Sequence, residues 1–226
     1  GNVSELEKTR KDFTCSVDVL DKLNESIFLY DKFVVKFFYD DVVVKNRVRR
    51  AQLLEGLVPK IISSTDNFYK YERVEGQLFS KTVNTNSFSK FLEWSKNHLW
   101  RPQREHCSGM QKMCNDFYFI KTKNRIKMFL DKSGVDQDDI TNINGVQVPP
   151  VEKMIDKIDS KWLCDAAPYR IHGDFILDNI IETKNGFVLL DWRQDFGGEL
   201  RFGDIYYDLA KLNHNLIINH DIVNKE

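Results

Sequence analysis

The N-terminal third of the chain alternates short apolar runs with turn residues, which is the pattern of β-strands. The strands that this pattern predicts are Phe13–Val19, Ser26–Tyr30, Phe33–Phe38, Ile61–Ile62 and Phe68–Val74, with a helix at about Val43–Leu57. Turn residues such as Asp31-Lys32 separate neighbouring strands and favour antiparallel pairing. The first part of the chain is therefore predicted to form a small antiparallel sheet.

After residue 76 the apolar spacing becomes helical. Residues Phe88, Phe91, Leu92, Ser95 and Leu99 recur on one face and predict a helix capped by Asn86 or Ser87, with Trp94 and Trp100 packed in the core. Further helices are predicted over Asn115–Lys132 and from Val151 to Ile158, separated by a polar loop at Asp131–Val148. The pattern predicts an α+β chain with a sheet in residues 1–76 and mainly helices in residues 77–226.

The segment Tyr169–Asp191 concentrates the side chains that can carry chemistry. His172, Asp174 and Asn179 form the pattern H-x-D-x-x-x-x-N, with Asn179 five residues after Asp174. Phosphoryl transfer needs a carboxylate to orient or deprotonate the attacking hydroxyl, and oxygen ligands to hold Mg²⁺ against the phosphates. Asp174 suits the first task and Asn179 the second.

A β-hairpin is predicted directly after this loop. Ile180-Ile181 and Phe187–Leu190 are apolar runs, and the turn Lys184-Asn185-Gly186 joins them. Asp191 follows the second run, so its carboxylate is expected at the rim of a sheet, where it can serve as a second metal ligand.

Together these residues resemble the aminoglycoside phosphotransferase and choline kinase-like group of small-molecule kinases, whose fold is that of the protein kinases. The resemblance extends through Asp204–Leu212, which contains Asp208-Leu209-Ala210. It implies a bilobal fold, Asp174 as catalytic base, and Asn179 and Asp191 as Mg²⁺ ligands. It also implies structural roles for His172, which braces the loop, and for Asp208, which holds the backbone.

Lys36 is the one cation in the β-branched and aromatic run Phe33–Phe38. A lysine inside a central strand is costly without an anionic partner, and the phosphates of ATP are such a partner. The resemblance implies the same contact. The hinge that binds adenine through its backbone is predicted at Glu72–Gly76, which includes Val74.

Two features depart from the family pattern. A Gly-rich loop is absent between the first two strands, so backbone N–H groups near Asn24 and Ser26 are the predicted phosphate contacts. The helix that should carry a glutamate for Lys36 offers Arg47, Arg49, Arg50 and Gln52 before Glu55. Either Glu55 pairs with Lys36 through a shifted register, or that ion pair is absent.

The acceptor is expected to lie between the catalytic loop and the segment Trp192–Tyr207. Arg193, which stands where many small-molecule kinases have glutamate, and Arg201 could bind an anionic group. Alternatively, Trp192, Tyr206, Tyr207, Asp195 and Glu199 could bind a cationic headgroup. Asp195-Phe196-Gly197 spells a protein-kinase motif, but Asp191 ends the predicted strand and is preferred as metal ligand, with Asp195 as a second candidate for metal or substrate.

Composition fits a single enzyme unit. The 226 residues are 42% hydrophobic and carry a net charge of −1, which disfavours a nucleic-acid partner. Apolar runs are too short for a membrane span, and the start of the chain lacks a signal-peptide core. The scattered cysteines suit a reducing compartment and match no common zinc spacing, so a cytoplasmic location is expected. Because the chain begins with Gly1, a further domain could precede it.

The sequence thus predicts an ATP- and Mg²⁺-dependent phosphotransferase acting on a hydroxyl of a small metabolite, with a sugar or sugar derivative ahead of choline or ethanolamine. Two alternatives stay open: a choline/ethanolamine-type kinase, and a nucleotide-binding module that transfers nothing. A protein kinase is disfavoured because no Ala-Pro-Glu element follows Asp191.

Overall fold

A computed structural model describes residues 24–103, 109–136 and 142–218. The predicted strand Phe13–Val19 lies outside these ranges, as do Cys15 and Cys107. Cys114 and Cys164 are buried and have free thiols.

The first lobe is built on a four-stranded antiparallel sheet. Its strands are β1 (Glu25–Leu29), β2 (Phe33–Phe38), β3 (Ile61–Ser64) and β4 (Phe68–Glu72), in the order β1-β2-β4-β3. Val34, Lys36 and Phe38 of β2 are buried because alternate residues of a strand share a face. Lys36 therefore enters the core side of the sheet, opposite Ile27 of β1 and Tyr69 of β4.

Helix α1 (Asp41–Leu53) connects β2 to β3. Asp40 caps its N-terminus and accepts a hydrogen bond from the backbone N–H of Val42 at 2.9 Å. The helix ends at Leu53, four residues before its predicted end at Leu57. Gly56, in the turn that follows, has a positive φ of 80°. Glu55 is consequently exposed in the turn that follows the helix.

The second lobe begins where the chain leaves β4. A short strand, β5 (Gln77–Leu78), pairs with the later strand Ile180–Thr183 and leads into helices α2 (Phe79–Thr82) and α3 (Thr85–Trp94). Asn84 caps α3 and accepts from the backbone N–H groups of Asn86 and Ser87, so the predicted cap at Asn86 or Ser87 is wrong. A π-helical turn, Ser95–Leu99, extends α3.

The next helices along the chain pack around a second apolar cluster. They are α4 (Met110–Asn115), the π-helical turn Asp116–Ile120, α5 (Lys121–Ser133), and, after a hairpin of β6 (Asn142–Ile143) and β7 (Val146–Gln147), α6 (Val151–Asp156) and α7 (Ser160–Cys164). The segment predicted as a polar loop therefore contains the end of α5 and this hairpin. No described helix is long and apolar enough to cross a membrane.

The chain then forms a further hairpin and the elements that lie next to it. Strand β8 (Pro168–Tyr169) precedes the loop, β9 (Ile180–Thr183) and β10 (Gly186–Leu189) form the hairpin, β11 (Gly203–Asp204) pairs with β8, and α8 (Ile205–Ile217) follows. The hairpin predicted around Asn185-Gly186 is confirmed. One core spans the two lobes, because the fully buried Trp192 packs against Tyr69 and Tyr71 of β4. Phe79, Phe91 and Phe175 continue this core within the second lobe.

Candidate active site

The loop between β8 and β9 brings Asp174 and Asn179 together. The side-chain amide of Asn179 donates to the backbone oxygen of Asp174 at 2.9 Å and reaches its Oδ2 at 3.3 Å. Asn179 comes five residues after Asp174, and a 3₁₀ turn at Leu177–Asn179 folds the chain back so that the two side chains meet. The amide nitrogen thus faces Asp174, which leaves the amide oxygen available as a hydrogen-bond acceptor or metal ligand for another partner.

Asp208 holds the backbone of this loop from helix α8. Its carboxylate is fully buried and accepts from the backbone N–H groups of His172 at 2.8 Å and Gly173 at 2.7 Å. The indole N–H of Trp100 donates to it at 3.1 Å. Burial raises the pKa of Asp208 to about 6, and these hydrogen bonds oppose that shift. This geometry supports the predicted pinning role of Asp208 and the core position of Trp100.

His172 lies inside the loop with no exposed surface. Its Nε2 lies 2.8 Å from the backbone oxygen of Leu190, and its Nδ1 accepts from the backbone N–H of Asp174 at 3.3 Å. Because a carbonyl only accepts, Nε2 carries the proton. Burial lowers the pKa of His172 to about 4, so the imidazole is a neutral brace between the loop and the hairpin.

Asp191 follows β10 in a left-handed backbone conformation, with φ of 57°. Leu190, just before it, donates to the backbone oxygen of Asn179 at 2.7 Å, so the loop and the end of the hairpin are directly joined. The ammonium of Lys36 and the guanidinium of Arg47 both bind Oδ1 of Asp191, the latter at 3.0 Å. The structure thus brings the strand lysine to the strand-end carboxylate.

The charges in this ion triplet are strongly coupled. Burial by itself raises the pKa of Asp191, but Lys36 and Arg47 outweigh it and hold that pKa well below its usual range. Burial lowers the pKa of Lys36, and Asp191 opposes this shift. A net positive charge of one remains on the triplet, which suits the binding of a polyanion.

Helix α1 supplies arginine where a glutamate partner for Lys36 was expected from the resemblance. Arg47 lies on the side of α1 that faces Asp191, whereas Glu55 is exposed beyond the end of the helix. Lys36 forms its ion pair with Asp191, so a shifted register that pairs it with Glu55 is wrong. Arg50, one turn after Arg47, is buried and donates to the backbone oxygen of Ile171 at 2.5 Å.

Lys211 is the cation next to Asp174. Its Nζ lies 2.8 Å from Oδ1 of Asp174, and both side chains are about one-third exposed, at 33% and 38%. Lys211 stands three residues after Asp208 in α8, so one helix holds both the backbone and the carboxylate of the loop.

The oxygen donors present fit Mg²⁺. Asn179 offers an amide oxygen and Asp191 a carboxylate, the hard ligands that Mg²⁺ prefers. Both cations bind Oδ1 of Asp191, and Oδ2 accepts from no group in the described ranges. Asn179 and Asp191 would be the ligands if Mg²⁺ binds here, and this assignment stays a prediction.

The residues predicted to bind the nucleotide lie around the strand lysine and the lobe connection. Asn24 is exposed, and its backbone oxygen accepts from the N–H of Tyr39 at 3.0 Å. Ser26 lies in β1 opposite Phe37, next to the Ile27–Lys36 pair. Glu72 ends β4 and Val74 lies in the connection to β5, so the predicted hinge coincides with the passage between the two sheets. Nucleotide contacts at these positions stay predictions.

The three candidate substrate residues have different surroundings. Asp195 accepts from the backbone N–H of Gly198 at 3.1 Å and shapes its own loop. Arg201 is exposed and forms a two-point ion pair with Glu199, with both nitrogen–oxygen distances at 3.0 Å. Arg193 is half-buried beside the catalytic loop, with its guanidinium 4.7 Å from the ring centre of Phe117.

Sequence reasoning missed the roles of Arg47 and Lys211. Arg47 contacts Asp191 across 144 positions of the chain, and no local spacing announces such a contact. Lys211 had a usable signal, because it lies on the helix of Asp208 and three or four residues separate neighbours on a helix face.

The sequence matches no family model and no curated protein. Solved structures do match. The ADP-bound aminoglycoside phosphotransferase APH(2'')-Ib aligns with a TM-score of 0.57 at 17% identity, over 92% of this chain and 74% of that one. The ternary complex of streptomycin, ATP and APH(2'')-IIa gives 0.56 at 17% identity over the same shares of 92% and 74%.

The chain has the fold of these phosphotransferases. A choline/ethanolamine kinase family protein from Mesorhizobium loti also aligns, with a TM-score of 0.50 at 14% identity over 96% of this chain and 72% of that one. The predicted kinase-like α+β fold, with a sheet in the first lobe and helices in the second, is confirmed. At these identities the likeness is one of fold.

Proposed function

We propose that this protein is an ATP- and Mg²⁺-dependent phosphotransferase that phosphorylates a hydroxyl of a small metabolite, a sugar or sugar derivative. The observation that carries the proposal is the joint placement of Asp174, Asn179, Asp191 and Lys36. Asn179 binds Asp174 at the loop, and Lys36 binds Asp191 at the end of the hairpin. A direct backbone hydrogen bond from Leu190 to Asn179 links these two pairs.

Each residue has a task in such a reaction. Asp174 orients the acceptor hydroxyl and takes its proton, and Lys211 fixes the direction of that carboxylate. Lys36 binds phosphate oxygens of the donor and aligns it for in-line transfer. Asn179 and Asp191 would hold Mg²⁺, which when bound supplies positive charge against the phosphates. His172 and Asp208 keep the loop in place without contacting the reactants.

The ligands of the similar structures support the choice of donor and acceptor class. One was solved with ADP and another with ATP and streptomycin, a hydroxylated small molecule. A GDP complex of aminoglycoside 2'-phosphotransferase-IIIa, with a TM-score of 0.51 at 17% identity over 95% of this chain and 79% of that one, keeps GTP open as donor.

One observation favours a second candidate, a nucleotide-binding module without transfer activity. Arg47 occupies the metal-binding carboxylate, and the ion pair between Lys36 and a helix glutamate is replaced by the contact of Lys36 with Asp191. In this alternative the triplet is a permanent structural unit, and nucleotide binds without chemistry.

The test is Mg²⁺-dependent ATP consumption by the wild type and by Asp191→Ala across sugars, sugar derivatives, amino alcohols and aminoglycosides. We expect acceptor-stimulated turnover that Asp191→Ala loses, while the exposed variant Asp165→Ala keeps it. Nucleotide binding by the wild type with no turnover on any acceptor would support the non-catalytic module instead.

A further inference from the structure

A group of cations surrounds two aromatic rings next to the catalytic loop. Lys121, at the start of α5, places its Nζ 4.0 Å from the ring centre of Phe117, and the guanidinium of Arg193 lies 4.7 Å from the same centre. Tyr207 packs edge-on against Phe117 at 4.8 Å and lies 6.0 Å from Arg193. Lys121, Arg193 and Lys211 are called the basic cluster below.

The basic cluster adjoins the proposed base. A Cβ atom on Gly173, directly before Asp174, would come within 2.6 Å of the Cβ of Arg193, so Arg193 rests against the loop backbone. Lys211 binds Asp174 itself and lies four residues after Tyr207 in α8, on the same helix face. One face of α8 therefore carries both Tyr207, which packs on Phe117, and Lys211, which binds the carboxylate of Asp174.

Positive charge in the basic cluster exceeds the negative charge that faces it. Within the described ranges, Lys121 and Arg193 form no ion pair with a carboxylate, and Nε of Arg193 is buried without a hydrogen-bond partner. Burial and the charges of Arg193 and Arg125 lower the pKa of Lys121 to about 8, although Asp195 opposes that shift. Partly buried cations held this close to one another are costly unless an anion joins them.

We infer that the acceptor carries an oxyanion, a phosphate or a carboxylate, which Arg193 and Lys121 bind while Asp174 faces the reacting hydroxyl. This inference rests on the proposed function and narrows its substrate class. Arginine suits the role because its planar fork matches the oxygens of both anions.

A cationic acceptor fits this place poorly. The rings of Phe117 and Tyr207, which a quaternary ammonium would need for cation–π contact, already face Arg193, and Phe117 also faces Lys121. An ammonium group beside them would meet like charges. The contacts therefore disfavour choline, ethanolamine and aminoglycosides and favour an acidic or phosphorylated sugar.

The experiment compares three matched acceptors: glucose, glucose 6-phosphate and glucuronate. It uses the wild type, Arg193→Gln, Lys121→Gln and a control, Lys127→Gln, which is exposed on the same helix as Lys121. We expect kcat/KM of the wild type to be about 10- to 100-fold higher for an anionic sugar than for glucose. Arg193→Gln and Lys121→Gln should raise KM for the anionic sugar about tenfold or more and reduce the preference for the anionic sugar over glucose by a similar factor, whereas Lys127→Gln should change neither KM nor this preference.

Equilibrium binding separates this inference from the proposed function. Glucose 6-phosphate, glucuronate and inorganic phosphate are titrated into each protein by calorimetry. If no acceptor is turned over but these anions bind and Arg193→Gln weakens them about tenfold, the proposed function fails and the oxyanion site stands. If the anions bind equally to wild type and Arg193→Gln, or if glucose or choline is the preferred acceptor, the inference is overturned even when turnover is found.

Discussion

The guanidinium of Arg47 lies 3.0 Å from Oδ1 of Asp191, so a cation from helix α1 holds the carboxylate that follows the β9–β10 hairpin. Lys36 binds the same oxygen from β2. Strand β2, helix α1 and the end of the β9–β10 hairpin therefore meet at the carboxylate of Asp191. Both cations favour its ionised form, because each lowers its pKa.

We expect Arg47→Gln to lower the free energy of unfolding by about 1–3 kcal/mol, because Asp191 loses one of its two cations in a partly buried setting. The substitution also removes the long hydrogen bond from Arg47 to the hydroxyl of Tyr69, at 3.4 Å. Urea denaturation at pH 7 measures the change. Arg49→Gln, exposed on the same helix, should stay within about 0.5 kcal/mol of the wild type, and equal losses for both variants would contradict the assignment.

Asp174→Asn should reduce turnover by about 10²- to 10⁴-fold, because the amide cannot take the proton of the acceptor hydroxyl. ADP affinity should remain unchanged, since the loop backbone is held by Asp208 rather than by the side chain of Asp174. Steady-state kinetics and ADP titration test both statements. Asp178→Asn is the matched control: it makes the same change in the same loop, but its carboxylate contacts Asn215 at 3.4 Å and not the proposed reacting hydroxyl, so turnover should be kept. Full activity of Asp174→Asn would refute the base assignment.

Asp208→Ala should destabilise the protein by about 3 kcal/mol or more, because it leaves three buried donors without an acceptor. Trp100→Phe removes one of these donors and keeps an aromatic ring in the core, so its cost should be smaller, about 1–2 kcal/mol. Denaturant melts of both variants give the comparison. A loss for Trp100→Phe as large as that for Asp208→Ala would show that packing, rather than the carboxylate, supports the loop.

His172 should make the protein acid-sensitive. Its pKa is about 4 in the folded chain and 6.5 when unperturbed, so the unfolded chain binds a proton in this range and the folded chain does not. Stability due to neutral His172 is therefore complete above pH 6.5 and falls as the pH drops towards 4. Asp208, whose pKa is raised to about 6, has the opposite effect below pH 6.

Comparison with His172→Gln isolates the histidine, since Asp208 is present in both proteins. The difference in unfolding free energy between the wild type and this variant should shrink steadily from pH 6.5 to pH 4. Chemical denaturation in steps of half a pH unit measures it. A difference that stays constant across this range would mean that His172 is not held neutral by its burial.

Local sequence patterns predicted the parts of the site that local geometry builds. The hairpin around Asn185-Gly186 follows from turn chemistry, and the inward direction of Lys36 follows from the two-residue alternation of β2. Asp174 and Asn179 contact each other because a short loop and a 3₁₀ turn set their spacing. None of these features requires knowledge of distant contacts.

Other features depend on competition or on tertiary contacts. Asn84, Asn86 and Ser87 are all good capping residues, and the backbone turn that selects Asn84 cannot be read from composition. The π-helical turns at Ser95–Leu99 and Asp116–Ile120 shift the faces of the helices they join, which a regular helical period does not anticipate. The contacts of Arg193 with Phe117 and Tyr207 join three separate segments of the chain.

Helix α1 is attached to the second lobe at several points. The indole N–H of Trp192 donates to the backbone oxygen of Arg47 at 2.8 Å, and Arg50 reaches the backbone of Ile171. These anchors come from opposite ends of the catalytic segment, so α1 cannot tilt without disturbing the loop or the residue after Asp191. In mechanical terms, the helix that is counted with the first lobe is fastened to the second. Any separation of the lobes would therefore fall between α1 and the sheet strands, and it would have to break the ion pair of Lys36 with Asp191.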